Sequence, residues 1–418
     1  NGGLMIGHNT IRRAVMKDDF RRPATPQELA AMGVHVRTAM QDGAFGLTAG
    51  LEYVPGIWST TQELVSLVQE IVPYDGAYLV HERSSGEDPM WFLPSQDTAA
   101  QPTMLDSIVE TATIGELTGA KVVATHIKAR GVEYWGKSGE IIGVINRARA
   151  RGVRMWADEY QYTTSGSDGR GVLLPYWILN EFDAETQNYA DALNHVLRDP
   201  EKAVRVREDI GDQIAGGGGA EHIYVLDHPD RALVGRSLAE IATTREIPAV
   251  EVVLRFQYEG YLNRFGGVRV RGFSLDEQDV VSFMKEPWVA TASDSGIATT
   301  EDGPVHARHY GTFPRKINKY ALQERVSSVE HAIRSMTSLP AEIMGFSRRG
   351  RIAPEYFADV VVVDLDRFQD LATFMNPHQF PAGVEYVFVN GEKVVDRGTL
   401  TWALPGQVLL PDWNEETD

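Results

Sequence analysis

Ala77-Tyr78-Leu79-Val80-His81 is a short apolar run closed by a histidine, and three other stretches repeat the design. They are Val122-Val123-Ala124-Thr125-His126, Val153-Arg154-Met155-Trp156-Ala157-Asp158 and Trp288-Val289-Ala290-Thr291-Ala292-Ser293-Asp294. Apolar runs of this length read as buried strands. Polar groups at the carboxyl ends of successive parallel strands gather on one face of a (β/α)₈ barrel, where active sites form. Two histidines and a late aspartate in these places suggest a metal-dependent hydrolase.

Outward from these strands, helix and strand patterns alternate. Thr25-Pro26-Gln27-Glu28 is a capping box with proline at the first helical position, and Thr60–Glu63 and Ser237–Glu240 repeat the box. Residues 82–101 follow a strand without clear period, as lids and substrate loops do. The stretch 180–209 reads as helical and highly charged. The four glycines 216–219 read as a flexible connector rather than a phosphate loop, because no Lys-Ser or Lys-Thr follows. Beyond a last helix over 327–339 the pattern becomes all-β, with Asn390-Gly391 as a hairpin turn. The expected division is a barrel portion over 1–345 and a small β portion over 346–418.

Composition narrows the function. The 418 residues carry a net charge of −18, and that acidic field argues against nucleic acid as a partner. The chain has no cysteine, so disulfides and thiolate metal ligands from within it are excluded. No apolar stretch approaches the roughly 20 residues needed to span a bilayer. The cell compartment stays open.

Zinc in a hydrolase takes neutral imidazoles and carboxylates and keeps a position for water. A lone strand-end histidine is more often structural. His81 and His126 in register with Asp294 favour metal ligation instead. Asp294, in Ala292-Ser293-Asp294-Ser295-Gly296, is the candidate proton shuttle, against the plain reading of a turn aspartate. Lys128 lies two positions past His126 and so on its side of an extended chain. Lys128 and Arg308 would suit an anionic substrate, although each also reads as a surface charge. Glu52 ends a strand and is open to three readings: bridging metal carboxylate, pocket residue or helix-dipole partner. Asp158, Glu159 and Tyr160 read as supporting residues, and His8 as touching the site edge.

Several motifs then make the chain resemble the N-acyl-D-amino-acid deacylases (D-aminoacylases) of the amidohydrolase superfamily. They include Gly46-Leu47-Thr48-Ala49-Gly50-Leu51-Glu52-Tyr53-Val54-Pro55-Gly56, Thr125-His126-Ile127-Lys128 and Ala292-Ser293-Asp294-Ser295-Gly296. His309-Tyr310-Gly311-Thr312-Phe313-Pro314-Arg315 and Ala358-Asp359-Val360-Val361-Val362-Val363-Asp364 also match. The resemblance implies a (β/α)₈ TIM-like barrel of the amidohydrolase type, with a small C-terminal β-sandwich portion. It implies one or two Zn²⁺ ions on His81 and His126, the fifth- and sixth-strand ligands. Asp294, on the eighth strand, would be acid/base and a possible ligand, and Tyr53, Lys128 and Arg308 would hold the substrate carboxylate. The substrate would be a small N-acyl amino acid.

The family's His-x-His motif and its frequent cysteine ligand do not occur in this chain. The first strands of the barrel and sandwich are therefore expected to be missing, with the barrel open and the metal site incomplete. The alternatives are a cyclic amidohydrolase of the hydantoinase or dihydroorotase type, usually marked by a carboxylated lysine where this chain has Glu52, and an inactive amidohydrolase-like scaffold.

Overall fold

The structure, a computed structural model, describes residues 1–97, 99–166, 172–182, 186–303 and 305–412. Its central element is a parallel sheet of β1 (Ile6–Gly7), β2 (Gly46–Gly50), β3 (Ala77–His81), β4 (Lys121–Ala124), β5 (Met155–Glu159) and a later strand, Val289–Thr291. Each strand pairs with its neighbour in chain order, as a barrel built from strand–helix units requires. Register runs Gly50↔His81 and Val80↔Ala124, so the ends of β2, β3 and β4 lie level. Among the described residues β1 and Val289–Thr291 are the sheet edges, and the barrel is open as expected.

Helices α1 (His8–Met16), α2 (Pro26–Gln41), α3 (Thr61–Gln69), α4 (Met104–Thr118) and α5 (Ser138–Ala150) follow β1 to β4 in turn. Together with the sheet they build the main core, which includes Leu47, Leu64, Tyr78, Val80, Ile108, Val122, Ile141 and Met155. The cap at Thr25 closes reciprocally, as its sequence demands. The cap at Thr60 closes on one side only. Thr60 accepts from the Glu63 backbone, but the Glu63 side chain turns away to His8 and Arg12.

Between β5 and Val289–Thr291 the chain leaves the sheet. It forms α6 (Tyr189–Leu197), α7 (Pro200–Gly216), β6 (Ile223–Asp227), α8 (Leu238–Arg245), α9 (Ala249–Glu259) and β7 (Arg269–Gly272). β6 and β7 pair antiparallel. These elements have a hydrophobic core of their own, including Leu193, Val206, Ile210, Val225, Val252, Phe256 and Val270. The sequence patterns show the helices but not that they close around a separate core. The glycines at 216–219 are no flexible connector: a Cβ at Gly218 would meet the Phe273 carbonyl at 2.4 Å, and one at Gly217 would meet Ile223 at 2.8 Å. The run lets α7 end tightly against β7.

After α10 (Glu277–Met284) come β8 (Val289–Thr291) and α11 (Arg308–Arg315). The C-terminal portion is one antiparallel sheet of β9 (Val360–Val363), β10 (Val384–Val389), β11 (Glu392–Asp396) and β12 (Thr399–Leu400), in the order β12-β11-β10-β9. Asn390 and Gly391 have φ of 51° and 84°, the left-handed pair that a two-residue hairpin needs. No helix among the described residues is long and apolar enough to cross a membrane.

Candidate active site

The strand ends converge through backbone bonds. Thr125 N–H donates to the Val80 carbonyl at 2.9 Å, and Ile127 N–H to the Asp158 carbonyl at 2.8 Å. Between them His126 is left-handed, with φ of 41°. Its N–H donates to Asp158 Oδ1 at 2.8 Å, so a half-buried carboxyl group holds the turn that presents the imidazole. Asp294 is left-handed too, at 49°. Non-glycine residues in that region cost about 1 kcal/mol or more, and such positions cluster at functional sites.

His81 Nδ1 lies 2.8 Å from His126 Nε2. His81 Nε2 lies 2.8 Å from Glu52 Oε2, and Lys128 Nζ lies 2.7 Å from His126 Nδ1. A charged lysine only donates, which orders the protons along this line. Lys128 donates to His126 Nδ1, His126 Nε2–H to His81 Nδ1, and His81 Nε2–H to Glu52. Burial lowers the His81 pKa, and burial with the nearby Lys128 charge takes His126 well below the usual histidine value. Both rings are therefore neutral at pH 7, the form that binds a metal. Burial brings Lys128 down to about 8, against the pull of Glu82, Asp294 and Glu52.

Tyr53 packs its ring 4.4 Å from the His81 ring. Arg308, 3% exposed, lies 4.4 Å over the Tyr160 ring and places Nη1 2.9 Å from Asp294 Oδ2. That contact is an ion pair without good hydrogen-bond angles, which leaves Nη1 and Nε with bonding capacity. Tyr53, His81, His126, Lys128, Asp294 and Arg308 all line one cavity of about 1120 Å³.

Glu52 is different. It lies buried behind His81, accepts from Met90 N–H and stands 3.9 Å from Arg130. A carboxylate so placed can orient the His81 imidazole. His8 also departs from expectation. It opens α1, is fully buried and bonds Glu63 at 2.9 Å, away from the cavity.

The donor set fits a metal in part. Two neutral imidazole nitrogens face one point, and His81 has its second nitrogen anchored on a carboxylate. For one ion to take both nitrogens they would stand wider apart than here, and the His126 proton would move from Nε2 to Nδ1, where Lys128 now donates. Among the described residues no group of three or more His, Cys, Asp or Glu side chains is arranged to hold an ion. The chain supplies a two-histidine limb with Asp294 at the same cavity.

The cavity draws on residues that carry no sequence signal. Arg130, Asp212, Arg271 and Ser274 line it from a loop and from the inserted elements. Tyr160, read as supporting, lies directly under Arg308 and lines it as well.

A sequence profile of the amidohydrolase family matches residues 178–395, just over half of the chain. The chain belongs to the amidohydrolase family. Among curated relatives it is 29% identical over 409 residues to the D-aminoacylase of Alcaligenes xylosoxydans xylosoxydans, covering 98% of this chain and 70% of that protein. Among solved structures it is similar to a D-aminoacylase studied for its binuclear metal centre, with a TM-score of 0.70, 27% identity, and 98% of this chain and 72% of the other covered. It is also similar to the N-acyl-D-glutamate deacylase of Bordetella bronchiseptica, solved with zinc and a phosphonate mimic of the tetrahedral intermediate. That match has a TM-score of 0.69 and 27% identity, with the same coverage. This amidohydrolase therefore lies alongside the deacylases of D-amino acids over nearly its whole length.

Proposed function

We propose that this amidohydrolase cleaves the amide of N-acyl-D-amino acids with zinc, releasing a carboxylate and the free D-amino acid. The observation that carries the reading is the meeting of two neutral imidazoles, a carboxylate and two cations at one cavity. The similarity to named deacylases supports it.

His81 and His126 would hold the metal, with Asp294 as a further donor. A bound zinc polarises the amide carbonyl and acidifies water. The rest falls to the chain's own groups. Arg308 and Lys128 are buried cations that would grip the substrate's α-carboxylate, and the Arg308 fork suits it. Tyr53 closes that end of the pocket over His81. Asp294 would take a proton from the attacking water and later give it to the leaving amine nitrogen. Arg308, beside it at 2.9 Å, orients the carboxylate for both steps. We also propose that the barrel portion ends near Gly345.

The test is turnover of N-acetyl-D-amino acids against their L-isomers by metal-loaded protein, with Asp294→Asn as the control. The variant should lose about 10²- to 10⁴-fold in kcat and keep its circular dichroism and melting temperature. Near-normal turnover by the variant refutes the role of Asp294. Absence of turnover by the parent favours an inactive scaffold.

A further inference from the structure

We propose that His378 and Tyr310 are positioning residues for the reaction: they clamp the loop after β8 and so hold Asp294 in place beside Arg308. This rests on the deacylase reading above and extends it to the C-terminal portion, which supplies His378.

The loop needs such a clamp. Asp294 stands at its start and Arg308 opens α11 at its end, and their contact at 2.9 Å requires the loop to fold back on the helix. Asp294 is left-handed, a conformation that lasts only where the surroundings enforce it. Burial does not supply that enforcement. No residue from 294 to 303 is buried, and Ile297 stands fully exposed. A segment without buried apolar contacts opens easily unless polar bonds tie it down.

Two side chains provide the ties. The Tyr310 hydroxyl, from α11, donates to the Ala298 carbonyl at 2.8 Å. His378 Nε2 donates to the Gly303 carbonyl at 2.7 Å, since a carbonyl oxygen only accepts. The two grips are joined, with His378 Nδ1 3.2 Å from the Tyr310 hydroxyl and the rings 5.7 Å apart, edge to face. Between the two gripped carbonyls the loop braces itself, with Thr299 N–H donating to Asp302 Oδ2 at 2.6 Å. Among the described residues these are the hydrogen bonds that tie 296–303 to other elements.

His378 has a firm base. It lies in the connection between β9 and β10, which docks on α11 and on the helical turns after it. Arg315 Nη1 pairs with Asp370 Oδ2 at 3.2 Å, and Asn318 Nδ2 donates to the Phe368 carbonyl at 2.7 Å. The Phe374 ring lies 5.3 Å from the His306 ring, whose Nδ1 accepts the Arg308 N–H at 2.9 Å. The same connection therefore backs the start of α11 and, through His378, reaches over to the loop that carries Asp294.

The experiment compares the parent, Tyr310→Phe and His378→Ala as metal-loaded proteins, by steady-state turnover of N-acetyl-D-amino acids and by amide hydrogen exchange. Tyr310→Phe deletes only the hydroxyl and serves alone should His378→Ala not fold. Each variant should lose about 10-fold in kcat with KM within about twofold, because Asp294 shifts while Arg308 and Lys128, which would grip the substrate, stay buried. Exchange over 296–303 should quicken about 10-fold, with the parallel sheet unchanged. A merely structural role would lower the melting temperature and quicken exchange across the C-terminal sheet, without moving kcat of the folded protein. That result, or unchanged exchange over 296–303, overturns the clamp and leaves the deacylase reading standing. No turnover by the parent overturns the deacylase reading, and the exchange over 296–303 still decides whether the clamp holds the loop.

Discussion

The His81 ring is held between two partners, with Nδ1 facing His126 and Nε2 on Glu52, each at 2.8 Å. Glu52 thus occupies Nε2, and Nδ1 is the nitrogen that would meet a metal under the proposed function. Glu52→Ala should weaken zinc binding about 10- to 100-fold, measured by titration against a competing chelator, and Glu52→Gln, which keeps an acceptor, should fall between. A Glu52 variant with unchanged affinity would remove this role. The positions of His81 and His126 were legible because each closes an apolar run, and a strand end is a place that sequence records. The role of Glu52 was not. It too ends a strand, but its partner lies across the sheet, and three readings were equally consistent with the local pattern.

At the scale of elements, the glycine run shows how composition can mislead. Four glycines imply freedom, but here they allow close approach. Gly218 has φ of 103°, and a Cβ there would press on the Phe273 carbonyl at 2.4 Å. Gly218→Ala should therefore destabilise by about 2 kcal/mol and lower the melting temperature. In a flexible connector the same change would be neutral or mildly stabilising. A calorimetric scan separates the two. The half-closed cap at Thr60 has a similar cause. Glu63 satisfies the local motif with its backbone but spends its side chain on a tertiary contact.

That contact bears on the whole molecule. Arg12 is fully buried and Glu63 is 3% exposed, and their ion pair, with His8, ties α1 to α3. Burial would raise the Glu63 pKa, but hydrogen bonds from His8 and Arg12 outweigh it and hold the carboxyl below its ordinary value. The folded pKa is thus depressed relative to the unfolded chain. Its stabilisation is present above the unfolded carboxylate pKa of about 4.3 and is lost as pH falls through the folded value. Glu63→Gln should cost about 3 kcal/mol at pH 7, because Arg12 stays buried without its counter-charge. It should also flatten the acid limb of stability, followed as the urea midpoint from pH 7 to pH 3. An acid limb as steep as the parent's would assign acid unfolding to other groups.

By itself the sequence determined the strand-end residues 81, 126 and 294, the caps at 25 and 237, the hairpin at Asn390-Gly391 and the change from α/β to β. Each depends on a residue's own burial, backbone angle or near neighbours, which periodicity and turn chemistry record. Only the tertiary structure decided that the chain between β5 and β8 closes around a second core, that Asp212 and Ser274 from it reach the cavity, and that Glu52 and Glu63 serve histidines far along the chain. Those pairings join segments distant in sequence, and the packing of whole elements, rather than any local pattern, brings them together.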